Sequence, residues 1–154
     1  NPNKKLVILP LVEARLLDNN QKIVSLCDSG ASSTVVDMHA LREKLGREKF
    51  TKLLDTDVEK PSFRTADGSI TRPLGRIPLQ ILIDNILFEW EAWVLPSCAH
   101  EIILGNDFNA AMQAVIDYRT GKIVYTSELG EEAHVHFKTK ELTQQTAQGK
   151  RLHF

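Results

Sequence analysis

Cysteine is scarce in this chain: Cys27 and Cys98 are the only two in 154 residues, too few for a disulfide framework and without the paired spacing of a zinc site. Both are expected as buried free thiols, which fits a reducing compartment. Excess charge is missing too, since 19 Lys and Arg against 20 Asp and Glu leave a net charge of -1, and no electrostatic case arises for nucleic acid or an anionic membrane surface. Long apolar runs are also absent. The stretch from Ile77 to Leu87 is broken by Pro78, Gln80, Asp84 and Asn85, so no bilayer span is expected, and no leader pattern is read at the start. No repeat recurs at a fixed period. The length allows one domain with a real core and not two, and a soluble protein is expected.

What the chain does have is Val24-Ser25-Leu26-Cys27-Asp28-Ser29-Gly30-Ala31-Ser32-Ser33, an apolar strand pattern running into an acid, a hydroxyl residue and a glycine. A carboxylate carried to a strand end and held in a tight turn is poorly explained by packing. Before it, Leu6 to Leu17 is rich in aliphatics, Asp18-Asn19-Asn20 is a turn cluster, and Lys22 to Cys27 completes a hairpin whose second strand delivers Asp28. After it, Ser32 to Val36 reads as extended. Asp37 is placed to cap a helix with Met38, Leu41 and Leu45 on one face and Gly46 at its end, and a second short helix is expected over Arg47 to Leu54.

Asp67-Gly68, within Phe63 to Arg72, predicts a two-residue hairpin turn. Ile77 to Ile83 and Phe88 to Val94 alternate about Asp84-Asn85 as a further hairpin, with Pro78 suited to an edge or a bulge. Trp90 and Trp93 read as core or interface residues. Glu101-Ile102-Ile103-Leu104-Gly105 is a second short apolar strand ending in glycine. Asn106 or Asp107 is placed to cap a helix carrying Phe108, Ala111, Met112 and Val115. Two short strands follow about Arg119-Thr120-Gly121. Residues 127–154 read as a polar tail or linker, to which His134-Val135-His136-Phe137 can add one strand. His134 and His136 lack a third ligand in spacing, so neither a metal nor a cofactor is expected.

Several strands and few helices give a mainly-β class. Asp28-Ser29-Gly30-Ala31 after a strand, then the Asp67-Gly68 hairpin, then Ile103-Leu104-Gly105 before a helix together resemble the retroviral-type, retropepsin-like aspartic proteases of retroviruses, retrotransposons and domesticated cellular proteins. The resemblance covers Leu6 to Tyr125. It implies a closed β-barrel-type acid protease fold with one or two short helices, a protease domain over residues 1–126, and one lobe per chain in a two-fold dimer. It also implies residence in the cytoplasm or within an assembling particle.

Hydrolysis without a metal needs one group to deprotonate water and another to protonate the leaving amine, and two carboxylates sharing a proton do both. Asp55-Thr56-Asp57 and Asp67-Gly68 are not second copies of the motif. The resemblance therefore implies a homodimer with Asp28 from each chain as general acid/base. It casts Ser29 as a hydrogen-bonding partner beneath the carboxylates and Gly30 as the point where backbone approaches water and substrate. Ala66, Asp67, Gly68 and Ser69 become the tip of a flap. Ala31, Ile103 and Leu104 flank the substrate, an extended and largely apolar peptide such as a segment of the polyprotein precursor. Three seals for the dimer are open: Ile123 to Thr126, Val135 to Phe137, or Leu6 to Leu9. The other reading is a catalytically silent dimerisation or peptide-binding module of the same fold.

Overall fold

The computed structural model describes residues 7–8, 10–64, 68–138 and 141–142. The elements in chain order are β1 (Val7–Ile8), β2 (Leu11–Leu16), β3 (Lys22–Cys27), β4 (Val35–Asp37), α1 (Met38–Leu45), α2 (Arg47–Leu53), β5 (Phe63–Arg64) and β6 (Ile70–Thr71). They continue with β7 (Gly75–Ile83), β8 (Ile86–Leu95), β9 (Ile102–Leu104), α3 (Asn106–Ala111), β10 (Val115–Asp117), β11 (Lys122–Thr126), β12 (Glu132–His136) and β13 (Glu141–Leu142). Among the described residues six strands close a barrel in the order β2-β3-β9-β4-β8-β7. Closure leaves those strands with few free edges, which suits a chain this rich in short alternating segments.

Alternation decides the register. Ile77, Leu79, Ile81 and Ile83 of β7 are buried between exposed or half-buried neighbours, and Phe88, Ala92 and Val94 of β8 face them from the other arm. The two-residue turn at Asp84-Asn85 has positive φ at both positions (54° and 60°), where Asp and Asn are tolerated. Pro78 pairs with Glu91 on β8, and on the other edge of β7 the backbone bonds fall to either side of it, at Arg76 with Asp55 and at Gln80 with Leu17. Pro78 thus sits in a gap of that edge, where its missing N–H costs no ladder bond. Phe88, Phe108 and Tyr125 form a closed triangle of edge-to-face rings with centroids 5.5 to 6.0 Å apart. This triangle fixes α3 and β11 to the barrel.

Three short helices stand among the described residues, at the three places where the sequence pattern predicts them. Gly46 (φ 91°) ends α1 and starts α2. Asp37 caps α1 by accepting from the Ala40 N–H at 3.0 Å. The cap expected of Asn106 or Asp107 is not made: Gly105 occupies that position without a side-chain bond, because the Asp107 carboxylate is held elsewhere. Val115 is exposed and belongs to β10 rather than to the helix.

β5 and β6 pair as a hairpin, Arg64 facing Ile70 and Phe63 facing Thr71. The two-residue turn expected at Asp67-Gly68 lies outside the described residues but for Gly68, which has φ 87° and whose carbonyl accepts from Arg64 Nη1 at 3.1 Å. In the polar C-terminal stretch, β12 pairs with β11 and buries Ala133, and Phe137 follows it inward. β1 pairs with β13, and Leu11 and Lys138 exchange two backbone bonds. No helix among the described residues is long and apolar enough to cross a membrane.

Candidate active site

β9 lies between β3, to which it runs parallel, and β4, to which it runs antiparallel. The chain leaving β3 at Asp28 must pass around the end of β9 to reach β4, so residues 28–34 cross over Gly105. That crossing is why the second apolar strand runs into glycine. A Cβ on Gly105 would stand 2.6 Å from the carbonyl carbon and oxygen of Ser33 and 3.0 Å from the Ala31 carbonyl. No side chain fits there.

Backbone bonds lock the two loops together. Asp28 N–H donates to the Leu104 carbonyl at 3.0 Å, Asn106 N–H to the Ala31 carbonyl at 2.6 Å, and Asp107 N–H to the Ser32 carbonyl at 3.3 Å. Within the loop, Ala31 N–H donates to the Asp28 carbonyl at 3.2 Å. Thr34, fully buried, accepts from Gly105 N–H through Oγ1 at 3.1 Å and donates from Oγ1 to Asp107 at 2.8 Å. Asp107 also accepts from Thr34 N–H at 3.1 Å and from the Trp90 indole N–H at 3.0 Å. The carbonyls and amides that this crossing would strand are satisfied by it.

The Asp28 carboxylate is half-buried and asymmetric. Oδ1 accepts from Gly30 N–H at 2.9 Å, a tight Asx turn, while Oδ2 is buried and has no hydrogen-bond partner among the described residues. A Cβ at Gly30 would lie 3.2 Å from Oδ1. Ser29 and Gly30 are exposed. Directly behind Asp28, burial pushes the Cys27 thiol above its ordinary value, the Tyr125 hydroxyl opposing and the Asp28 charge adding to the rise.

Of the other expected site residues, Ala31 and Ile103 come together in a second apolar cluster with Leu26, Val35 and Leu95, against which Phe63, Trp93 and Cys98 pack. Leu104 is fully buried in the main core, and what it presents to the site is its carbonyl. Gly68 and Ser69 are exposed on the hairpin, and Ala66 and Asp67 lie outside the described residues. The contribution of Thr34 and Asp107 was not anticipated. A threonine six residues after the acid and an acid two after the glycine carry no pattern of their own.

A six-stranded closed barrel with a strand-Asp-Ser-Gly loop crossed against a strand-glycine loop defines a retropepsin-like aspartic protease lobe. The chain belongs to the aspartyl protease family, whose model matches residues 12–108. In structure it is similar to the retroviral protease-like domain of Ddi1 from Leishmania major, with a TM-score of 0.61 at 20% identity over 86% of this chain and 95% of that one. A retropepsin-like aspartic protease from Rickettsia conorii matches with a TM-score of 0.49 at 18% identity, over 90% of this chain and 95% of that one. EIAV protease matches at 0.43 and 14%, over 74% and 92%. The Leishmania domain carries the likeness of fold. No curated relative matches the sequence.

Proposed function

We propose that the protein is an aspartic endopeptidase whose active site is completed by a second copy of itself, with Asp28 of each chain as the acid/base pair. The observation that carries this reading is the Asp28 carboxylate, one oxygen fixed by Gly30 N–H and the other buried and unpartnered. A single carboxylate cannot both take a proton from water and give one to the leaving amine, and two carboxylates sharing a proton can. Ser29 and Gly30, exposed beside the acid, are where backbone, water and the second loop meet. The substrate is an extended peptide with apolar side chains: the cluster of Val35, Leu95 and Ile103 beside Ala31 supplies an apolar wall, and the hairpin of β5 and β6 supplies strand-like main chain to cover it.

For the dimer seal, β11 is unsuitable because β10 and β12 take both its edges. The two-stranded β1–β13 sheet, which has no further strand among the described residues, is the element proposed to pair across the axis. The test is Asp28→Asn, which keeps the shape of the side chain and removes its acid/base chemistry. Cleavage of an unfolded protein substrate is expected to fall at least about 1,000-fold, with the urea midpoint and the dimer retained. Undiminished cleavage would end the reading. A statine-type mimic, whose hydroxyl takes the place of the attacking water, is expected to bind the wild-type dimer tightly; a dimer that ignores it is a silent module.

A further inference from the structure

Beneath the active loop lies a buried amide that neither the loop crossing nor the core requires. Asn109, on the inward face of α3, is 6% exposed. Its Nδ2 donates to the Leu104 carbonyl at 2.9 Å, and its Oδ1 accepts from the Cys27 thiol at 3.6 Å. The Leu104 carbonyl is the same one that takes Asp28 N–H at 3.0 Å. One side chain therefore grips the last residues of β3 and β9, the pair Cys27 and Leu104 at which their parallel ladder ends, immediately before Asp28.

Stability does not account for it. The Leu104 carbonyl is already satisfied by Asp28, a thiol is a weak donor, and burying an amide among apolar side chains is costly. Leucine has the same branching of side-chain heavy atoms and no such cost. We propose that Asn109 is a positioning residue: it fixes the direction of the Leu104 carbonyl and thereby the backbone of Asp28, so that the carboxylate is presented at the end of an otherwise frayed strand pair. Its bearing on catalysis rests on the endopeptidase reading above; the positioning of the Asp28 backbone does not.

The test is Asn109→Leu in the full chain, followed by hydrogen exchange of the Asp28 amide, by the urea midpoint, and by kcat and KM on an apolar fluorogenic peptide. The expected result is an unchanged or raised midpoint, Asp28 amide exchange faster by about tenfold, and kcat lower by about 10- to 100-fold with KM altered less than about threefold. Cys27→Ala, which keeps the bond to Leu104, is expected to change both readouts by less than about threefold. If Asn109→Leu does not fold, Asn109→Ala is read in the same way. Unchanged Asp28 exchange overturns the proposal, as does a loss of exchange protection no larger than the loss of global stability. A wild-type chain without peptidase activity, combined with faster Asp28 exchange in the variant, upholds the positioning and ends the endopeptidase reading.

Discussion

Residue-level geometry gives the sharpest expectations, because the two glycines of the site have opposite reasons for being glycine. Gly105 is a close-approach residue. Gly105→Ala drives a methyl into the Ser33 backbone at 2.6 Å, and because the obstacle is main chain, the crossing must open. A loss of about 1 to 3 kcal/mol is expected in urea unfolding, together with loss of activity. Gly30 instead faces only the side-chain oxygen of Asp28, at 3.2 Å, a contact relieved by a shift of a few tenths of an ångström, so Gly30→Ala is expected to leave the urea midpoint within about 0.5 kcal/mol while lowering kcat. Both glycines could be noticed in the sequence as ends of apolar strands. Why they differ could not, since the difference depends on which segment passes over each one.

At the level of elements, the acids that hold the loops were only partly legible. Asp37 was readable as a helix cap, and it is one; its second oxygen also accepts from Cys98 N–H at 2.8 Å, which ties the 96–100 loop to α1. Asp37→Ala is expected to cost about 1 to 2 kcal/mol, measured as a shift in the urea midpoint. Asp107 was read as a cap and is instead a hub joining Thr34, Trp90 and its own helix start, since Phe108 N–H also donates to it at 2.8 Å. Asp107→Ala, which strands Thr34 and the Trp90 indole, is expected to cost about 2 to 4 kcal/mol. Local pattern shows an acid before a helix, but tertiary partners decide what it bonds.

For the molecule as a whole, the mainly-β class, the order of the hairpins and the acid-bearing loop followed from alternation and turn residues. Barrel closure came only with the family resemblance, because the parallel contact of β3 with β9 joins residues 77 positions apart. Two buried groups, Cys27 on β3 and Tyr125 on β11, are expected to set the molecule's alkaline limit. Burial raises the Tyr125 hydroxyl well above its ordinary value, the Cys27 charge adding to the rise, and burial also raises the Cys27 thiol. The unfolded chain gives up these protons at ordinary values while the native chain keeps them. Their contribution to stability is thus whole below about pH 9 and is lost as pH climbs toward the raised native values. The urea midpoint is expected to fall between pH 9 and 11, and less steeply in Tyr125→Phe. The central claim, a site shared by two copies, is tested most directly by mixing wild-type and Asp28→Asn chains at constant total concentration and measuring peptide cleavage. A shared site predicts activity following the square of the wild-type fraction, about one quarter at equal amounts, whereas activity falling in simple proportion, to about one half, would contradict it.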